Sequence, residues 1–286
     1  MEKMRGECLR IGPSLLAADF TRLGDAVRDV ELAGANVLHC DVMDGVFVPN
    51  LSFGFPILES LRRTTSLPFD THLMIVDPDR NDYVDRCVAV GASMVSFHLE
   101  AFDLVNATPD QPWNQTSQSD VVRRAERLIR RIQSLGAKAG IALAPRTPIA
   151  AIGPLAEWMD FLLIMSVEPG FGNQTFMPQV LDKVRDFRRR YGNERVVSID
   201  GGVNVETIGA CVAAGVNYPI AGTAVFGRLP TVKRGREENG CGESAECTDG
   251  CRPQSPVDRY RTNLFLLQNA AGPLGNSPCD RTDVMI

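Results

Sequence analysis

The chain has 286 residues, of which 44% are hydrophobic, and a net charge of -5. That is enough apolar content for a large core and too little positive charge to suggest nucleic acid or an acidic membrane as a partner. Residues 1–10 lack the apolar stretch of a signal peptide and no later run is long enough to span a bilayer, so a cytoplasmic protein with reduced thiols is expected. Cys40, Cys87 and Cys211 fall in apolar or helical contexts and read as small buried hydrophobes.

In chain order, strand-like and helix-like segments alternate. Residues 9–14 read as a first strand, and 21–33 as a helix with apolar positions at Leu23, Val27, Val30 and Ala33 that stops at Gly34. The second strand begins at Val37, and Pro56 suits the first turn of the helix that follows. Strands are expected over 69–74, 93–99, 137–143, 161–166, 196–200 and 217–221. Helices are expected over 80–90, 119–135, 148–155, 178–190 and 204–214. Eight strands made of continuous Val/Ile/Leu runs, separated by helices, describe a parallel sheet covered by helices. Eight such units close most naturally into a (β/α)8 TIM barrel, here over residues 1–228. The rival, an open doubly wound sheet, would carry a glycine-rich fingerprint where this chain reads Gly12-Pro13-Ser14-Leu15.

Two stretches lie outside that plan. Residues 102–118, rich in Asn, Gln, Pro and Ser, read as a long polar loop after strand four. Residues 229–254 are charged and Gly-rich, and are expected to be a disordered polar insertion. Beyond them Ser255-Pro256-Val257-Asp258 has an N-cap, an N1 proline and an acid at N3. Val257, Tyr260, Leu264, Leu267 and Ala271 then form one helical stripe, closed by Gly272-Pro273. Residues 255–286 are therefore read as a displaced eighth barrel helix and a tail, an irregular C-terminal extension.

The chemistry starts in the second strand, His39-Cys40-Asp41-Val42-Met43-Asp44-Gly45. Period-two alternation sets His39, Asp41 and Met43 on one face, with Leu38, Cys40 and Val42 on the other. The chain has three histidines, His39, His72 and His98, each near the C-terminal end of a consecutive strand, the face on which barrels build active sites. Asp200 ends strand seven on the same face. His39, Asp41, His72 and Asp200 can thus converge on one divalent ion, and two imidazoles with two carboxylates suit zinc, iron, manganese or cobalt better than calcium or magnesium. His98, with Glu100 nearby, fits either a further site residue or a hydrogen-bonded core histidine.

Glycines fill the ends of strands six, seven and eight, in Glu168-Pro169-Gly170-Phe171-Gly172-Asn173, Asp200-Gly201-Gly202 and Ala221-Gly222-Thr223. Singly, each suits a tight turn; together, at neighbouring strand ends, they point to a backbone cradle for phosphate.

These residues resemble one family, ribulose-phosphate 3-epimerase. The resemblance rests on Gly12-Pro13-Ser14, on His39 to Gly45 with Phe47-Val48-Pro49-Asn50, on Thr71-His72-Leu73-Met74, on Met165-Ser166-Val167-Glu168-Pro169-Gly170-Phe171-Gly172, and on Asp200-Gly201-Gly202, across residues 9–227. It implies a (β/α)8 barrel, one divalent metal ion, and interconversion of D-ribulose 5-phosphate and D-xylulose 5-phosphate. It also implies that His39, Asp41, His72 and Asp200 hold the metal, that Asp41 and Asp200 are the acid/base pair, and that Ser14 and His72 meet substrate. Gly170, Phe171, Gly172, Asn173, Gly201, Gly202, Gly222 and Thr223 correspond to the phosphate site, and Met43, Met74 and Met165 to the walls of the sugar pocket. A small-molecule sugar phosphate and a homo-oligomer are the expected partners. Two departures stand out: Asn173 replaces a usual glycine, and Pro219 sits in strand eight, where a missing donor argues for a bulge or bend.

Asp41 and Asp200, from opposite sides of the mouth, suit removal of a proton from one face of a carbon and its return to the other. Two other readings share the residues: epimerisation of a hexulose phosphate such as allulose 6-phosphate, and a non-catalytic barrel that binds sugar phosphates.

Overall fold

The computed structural model describes residues 9–102, 118–227 and 255–272. Its strands are β1 (Gly12–Pro13), β2 (Leu38–Met43), β3 (Phe69–Met74), β4 (Ala92–His98), β5 (Lys138–Leu143), β6 (Phe161–Met165), β7 (Val196–Asp200) and β8 (Tyr218–Ala221). All neighbours pair in parallel, in the order β1-β8-β7-β6-β5-β4-β3-β2. A single parallel bridge between Ser14 and His39 joins the two ends of that order. The result is the expected (β/α)8 barrel.

The pleat divides each strand between two cores. Leu38, Cys40 and Val42 face outward into the large layer beneath the helices, with Leu58 of α2 (Phe55–Arg62) and Cys87 of α3 (Tyr83–Ala89). Their neighbours His39, Asp41 and Met43 face the barrel axis, as the period-two pattern requires. Lower in the axis Met94, Phe161 and Tyr218 fill the interior, and Gly140 is needed there because a β-carbon would run into the Phe161 ring. Each such fully buried large side chain contributes roughly 2 kcal/mol.

The outer ring also includes α1 (Leu23–Leu32), α4 (Gln118–Ser134), α5 (Leu181–Tyr191), α6 (Ile208–Ala214) and the short α7 (Thr223–Phe226). The capped stripe near the C-terminus forms α8 (Pro256–Ala270), whose N-cap Ser255 accepts from the Asp258 N–H at 3.1 Å. It packs on α1, α6 and α7, buries Tyr260, Leu264 and Leu267, and sets Tyr260 edge-on to Phe226. The expected insertion at 229–254, the tail at 273–286 and most of the polar loop, 103–117, lie outside the described residues. No helix among the described residues is long and apolar enough to cross a membrane.

Three local expectations are corrected. The segment over 148–155 is a 3-10 helix, Ile149–Leu155, with Pro154 inside it, since proline removes an α-helical donor. The helix expected from residue 80 starts at Tyr83, because Asn81 and Asp82 take left-handed backbone, φ 55° and 53°, which short polar side chains tolerate. Pro219 causes no shift of register: it stands opposite Ile199 in an unbroken β7–β8 pairing. The irregularity falls instead between Phe69 and Asp70, where β3 meets β4.

Candidate active site and metal centre

Register decides which side chains meet. Asp41 of β2 pairs with His72 of β3, and paired residues of a parallel ladder project side by side. The Asp41 Oδ1 atom accordingly lies 3.1 Å from His72 Nδ1 and 3.2 Å from His39 Nε2. Asp200, at the end of β7, comes across the axis and places Oδ2 3.9 Å from His39 Nε2. One donor atom from each of His39, Asp41, His72 and Asp200 lies within 4.8 Å of the others. Two ligands at about 2.1 Å from one ion stand at most about 4.2 Å apart. The four therefore need only a small contraction to share a metal ion, and the cluster could hold one.

Each group is itself held. His39 Nδ1 faces Asp70 Oδ2 at 2.8 Å, and the Tyr218 hydroxyl donates to that same oxygen at 2.9 Å. Gly12 makes room for the Tyr218 ring, since a β-carbon there would meet it. The Ser14 hydroxyl donates to Asp41 Oδ2 at 2.9 Å. His72 Nε2 faces His98 Nε2 at 2.9 Å, and His98 Nδ1 faces Glu100 Oε2 at 3.2 Å. The sequence does not mark Asp70, Tyr218 or the His98–Glu100 pair as supports of this cluster. Asp70 had a signal: Asp70-x-His72 repeats on β3, in reverse order, the pattern His39-x-Asp41 of β2. Tyr218 had none, being drawn in from a strand far along the chain.

The electrostatics separate the two aspartates. Burial favours the neutral form of Asp41, but His39 and His72 outweigh it and hold the carboxyl far below its usual range. Asp200 lacks such support; burial and the Asp41 charge push it up to about 7 against the pull of His39. Burial would strip His39 of its proton, yet Asp41 and Asp70 on either side raise it well above its ordinary value. His72 goes the other way, with burial lowering it to about 4 despite the Asp41 contact. Burial also works against the Glu100 charge, but bonds from His98 and Thr147 keep that carboxyl below its usual value.

Above the cluster opens a cavity of about 900 Å³. Asp41, Asp200 and Ser14 reach it, whereas His39 and His72 are fully buried and do not line it. Met43, Met74 and Met165 form apolar walls, and the far side is lined by Gly170 to Asn173, Gly201, Gly202, Gly222 and Thr223. Gly202 has φ 65°, and a β-carbon there would meet the Phe176 backbone at 2.9 Å. Asn173 takes the left-handed backbone of a glycine, φ 59°, and accepts from the Thr223 hydroxyl at 2.8 Å. The Asn50 side chain donates to the Gly170 carbonyl at 2.7 Å and ties the loop after β6 to the loop after β2. Thr262, Asn263 and Leu266 of α8 complete the rim.

A closed barrel with a His/Asp cluster and a polar-rimmed cavity at the C-terminal ends of its strands defines a (β/α)8-barrel enzyme. The chain belongs to the ribulose-phosphate 3-epimerase family, whose family model matches residues 10–122 and 116–226. The ribulose-phosphate 3-epimerase of Bacillus subtilis is 38% identical over 224 residues, covering 77% of this chain and 93% of its own. That of Mycobacterium tuberculosis is 44% identical over 220 residues, 76% of this chain and 86% of its own. The chloroplastic ribulose-5-phosphate-3-epimerase of Arabidopsis thaliana is 40% identical over 220 residues, 76% of this chain and 71% of its own. Among solved structures, KGPDC from Streptococcus mutans matches with TM-score 0.59 at 11% identity, covering 93% of this chain and all of that one. A mutant tryptophan synthase α-subunit from Pyrococcus furiosus matches with TM-score 0.56 at 14% identity, covering 94% of this chain and all of that one. At such identities these two structures speak for the fold alone.

Proposed function

We propose that the protein interconverts D-ribulose 5-phosphate and D-xylulose 5-phosphate by inverting carbon 3. The observation that carries this reading is the placement of Asp41 and Asp200, two carboxyl groups brought by β2 and β7 to one cavity. In the metal-free protein, His39 and His72 hold the Asp41 carboxyl far below its usual range, while burial and the Asp41 charge push that of Asp200 up to about 7. Environments that push two such groups apart assign a base and an acid.

In one direction Asp41 takes the carbon 3 proton from one face of the sugar while Asp200 gives its own to the other; in reverse the roles exchange. Ser14 steers Asp41 through its hydrogen bond. A divalent ion held by His39, Asp41, His72 and Asp200 would act as a Lewis acid on the ketone oxygen as charge develops there. Zinc, iron, manganese and cobalt all suit this donor set. Met43, Met74 and Met165 enclose the sugar in apolar surface that excludes water, which would otherwise deliver protons without regard to face. The loop Gly170 to Asn173 with Gly201, Gly202, Gly222 and Thr223 binds the phosphate, its main chain approaching where side chains would intervene.

Purified protein assayed with D-ribulose 5-phosphate and with allulose 6-phosphate, before and after chelation, tests the proposal. Chelator-sensitive turnover with a clear preference for the pentose phosphate is expected. A preference for the hexulose phosphate would reassign the substrate, and no turnover with metal restored would reduce the site to binding.

A further inference from the structure

Both histidines of the cluster have their second ring nitrogen occupied, but by different kinds of partner. His39 leans on a carboxylate, Asp70, whereas His72 leans on another histidine, at 2.9 Å between the two Nε2 atoms. The direction of that second contact is fixed from its far end. The Ala144 backbone N–H, which can only donate, gives a hydrogen bond to Glu100 Oε1 at 2.9 Å, and the Thr147 hydroxyl donates to the same oxygen. The other oxygen, Oε2, is left for His98 Nδ1 at 3.2 Å. A carboxylate accepts only, so His98 Nδ1 carries the hydrogen. With its one hydrogen on Nδ1, His98 presents a lone pair from Nε2, His72 Nε2 donates to it, and His72 Nδ1 is left without a proton. That bare nitrogen faces Asp41 Oδ1 at 3.1 Å. Two acceptors at that distance repel each other unless a cation lies between them.

We propose that Glu100 and His98 are positioning residues that keep His72 Nδ1 unprotonated and turned toward the cation site. The inference rests on the metal-dependent reading above. Hydrogen-bonded partners behind metal-binding histidines fix the tautomer, and their loss typically costs 10–100-fold in metal affinity. Here the control is remote: all of Glu100, His98 and Thr147 are buried and none lines the cavity.

The structure supplies a sharp variant. In Glu100→Gln the amide oxygen must stay with the Ala144 N–H, so the amide NH2 turns to His98 Nδ1. His98 then carries its hydrogen on Nε2, becomes a donor, and drives the His72 proton to Nδ1, into the cation's place. Zinc and cobalt dissociation constants, measured by competition with a chelator, should weaken 10–100-fold in this nearly isosteric change. The loss of a buried negative charge would also weaken binding, and His98→Gln separates the two causes. A glutamine at 98 can offer its oxygen to His72 Nε2 whatever stands at 100, so the double variant Glu100→Gln/His98→Gln should recover most of the affinity. Imidazole 15N spectra of the metal-free proteins should report His72 as the Nε2–H form in the wild type and double variant, and as the Nδ1–H form in Glu100→Gln. Unchanged affinity in Glu100→Gln, or no recovery in the double variant, overturns the proposal. A wild-type protein that binds neither metal would instead overturn the metal-dependent reading itself. Melting temperatures of the metal-free variants show whether each has folded; should Glu100→Gln fail, His98→Phe, which removes the acceptor and keeps a ring against Phe47, must show the same loss.

Discussion

The two sides of the barrel mouth are built from different materials. On the β2–β4 side, ionisable side chains crowd together: His39, Asp41, His72 and His98 are buried, and each is braced by a partner that is also buried. On the β6–β8 side, Gly170, Gly201, Gly202 and Gly222 stand at the strand ends and bring main chain to the cavity wall. A site that must move a proton with a chosen hand needs groups fixed by dense packing. A site that grips a charged, symmetrical phosphate needs only close approach of N–H donors. Asp200 is where the two meet, an ionisable side chain on the glycine side, and it is the one with the proton held to about 7.

The largest effect should come from removing the proposed acid/base groups. Asp41→Asn and Asp200→Asn should each lower turnover by roughly 10²–10⁴-fold, with metal content measured in parallel so that lost metal does not pass for lost proton transfer. In heavy water, one metal-loaded variant should still exchange the carbon 3 hydrogen without inverting it. Near wild-type turnover by both would remove the two-base assignment. On the opposite side, Gly222→Asp sets a carboxylate against the phosphate, a repulsion of order 4 kcal/mol at about 4 Å in a partly screened site. The KM should rise about 1,000-fold while metal affinity holds. If metal affinity falls equally, the two sides are not separate.

Asn50 spans both sides, and Asn50→Ala removes one hydrogen bond worth about 1 kcal/mol. A several-fold rise in KM with unchanged metal binding would fit a latch on the phosphate loop; no change would make the contact incidental. A further effect is one of pH on the metal-free protein. Asp200 holds its proton to about 7 when folded but only to about 3.8 in an exposed reference. Its contribution to stability is therefore complete below about pH 4 and is lost as pH rises through about 7. The melting temperature of the wild type relative to Asp200→Asn should fall over that window and level off above it. A flat difference would mean that Asp200 is ionised throughout.

Much of this was legible because barrels repeat simple local patterns. Alternation along one strand separated His39, Asp41 and Met43 from Leu38, Cys40 and Val42, and the burial of both sets follows it. The stripe Tyr260, Leu264 and Leu267 likewise marked the buried face of α8. What stayed hidden depends on pairing between distant strands or on backbone that composition does not dictate. The Tyr218–Asp70 bond joins residues 148 positions apart, and no local period announces it. Asn81 and Asp82 delay a helix through left-handed backbone that their neighbours in sequence do not signal. Pro219 warned of a break, yet parallel pairing absorbed it without a shift. The supports of the two histidines were the hardest to see, since a second nitrogen's partner is chosen by register and ring orientation together.

The seam of the barrel sets an order of events for the growing chain. β1 has two residues; one edge meets β2 only through the Ser14–His39 bridge, and the other rests on β8, where Gly12 stands beside Ile220. The ring cannot be completed until the last strand has been made, and pairings between such distant segments form slowly. A nascent chain thus exposes His39, Asp41 and His72 well before Asp200 and Tyr218 exist to finish the chamber. Refolding should end on closure of this seam, with the amide of Ser14, which donates to the Ala221 carbonyl across it, gaining protection from exchange after those of β3, β4 and β5.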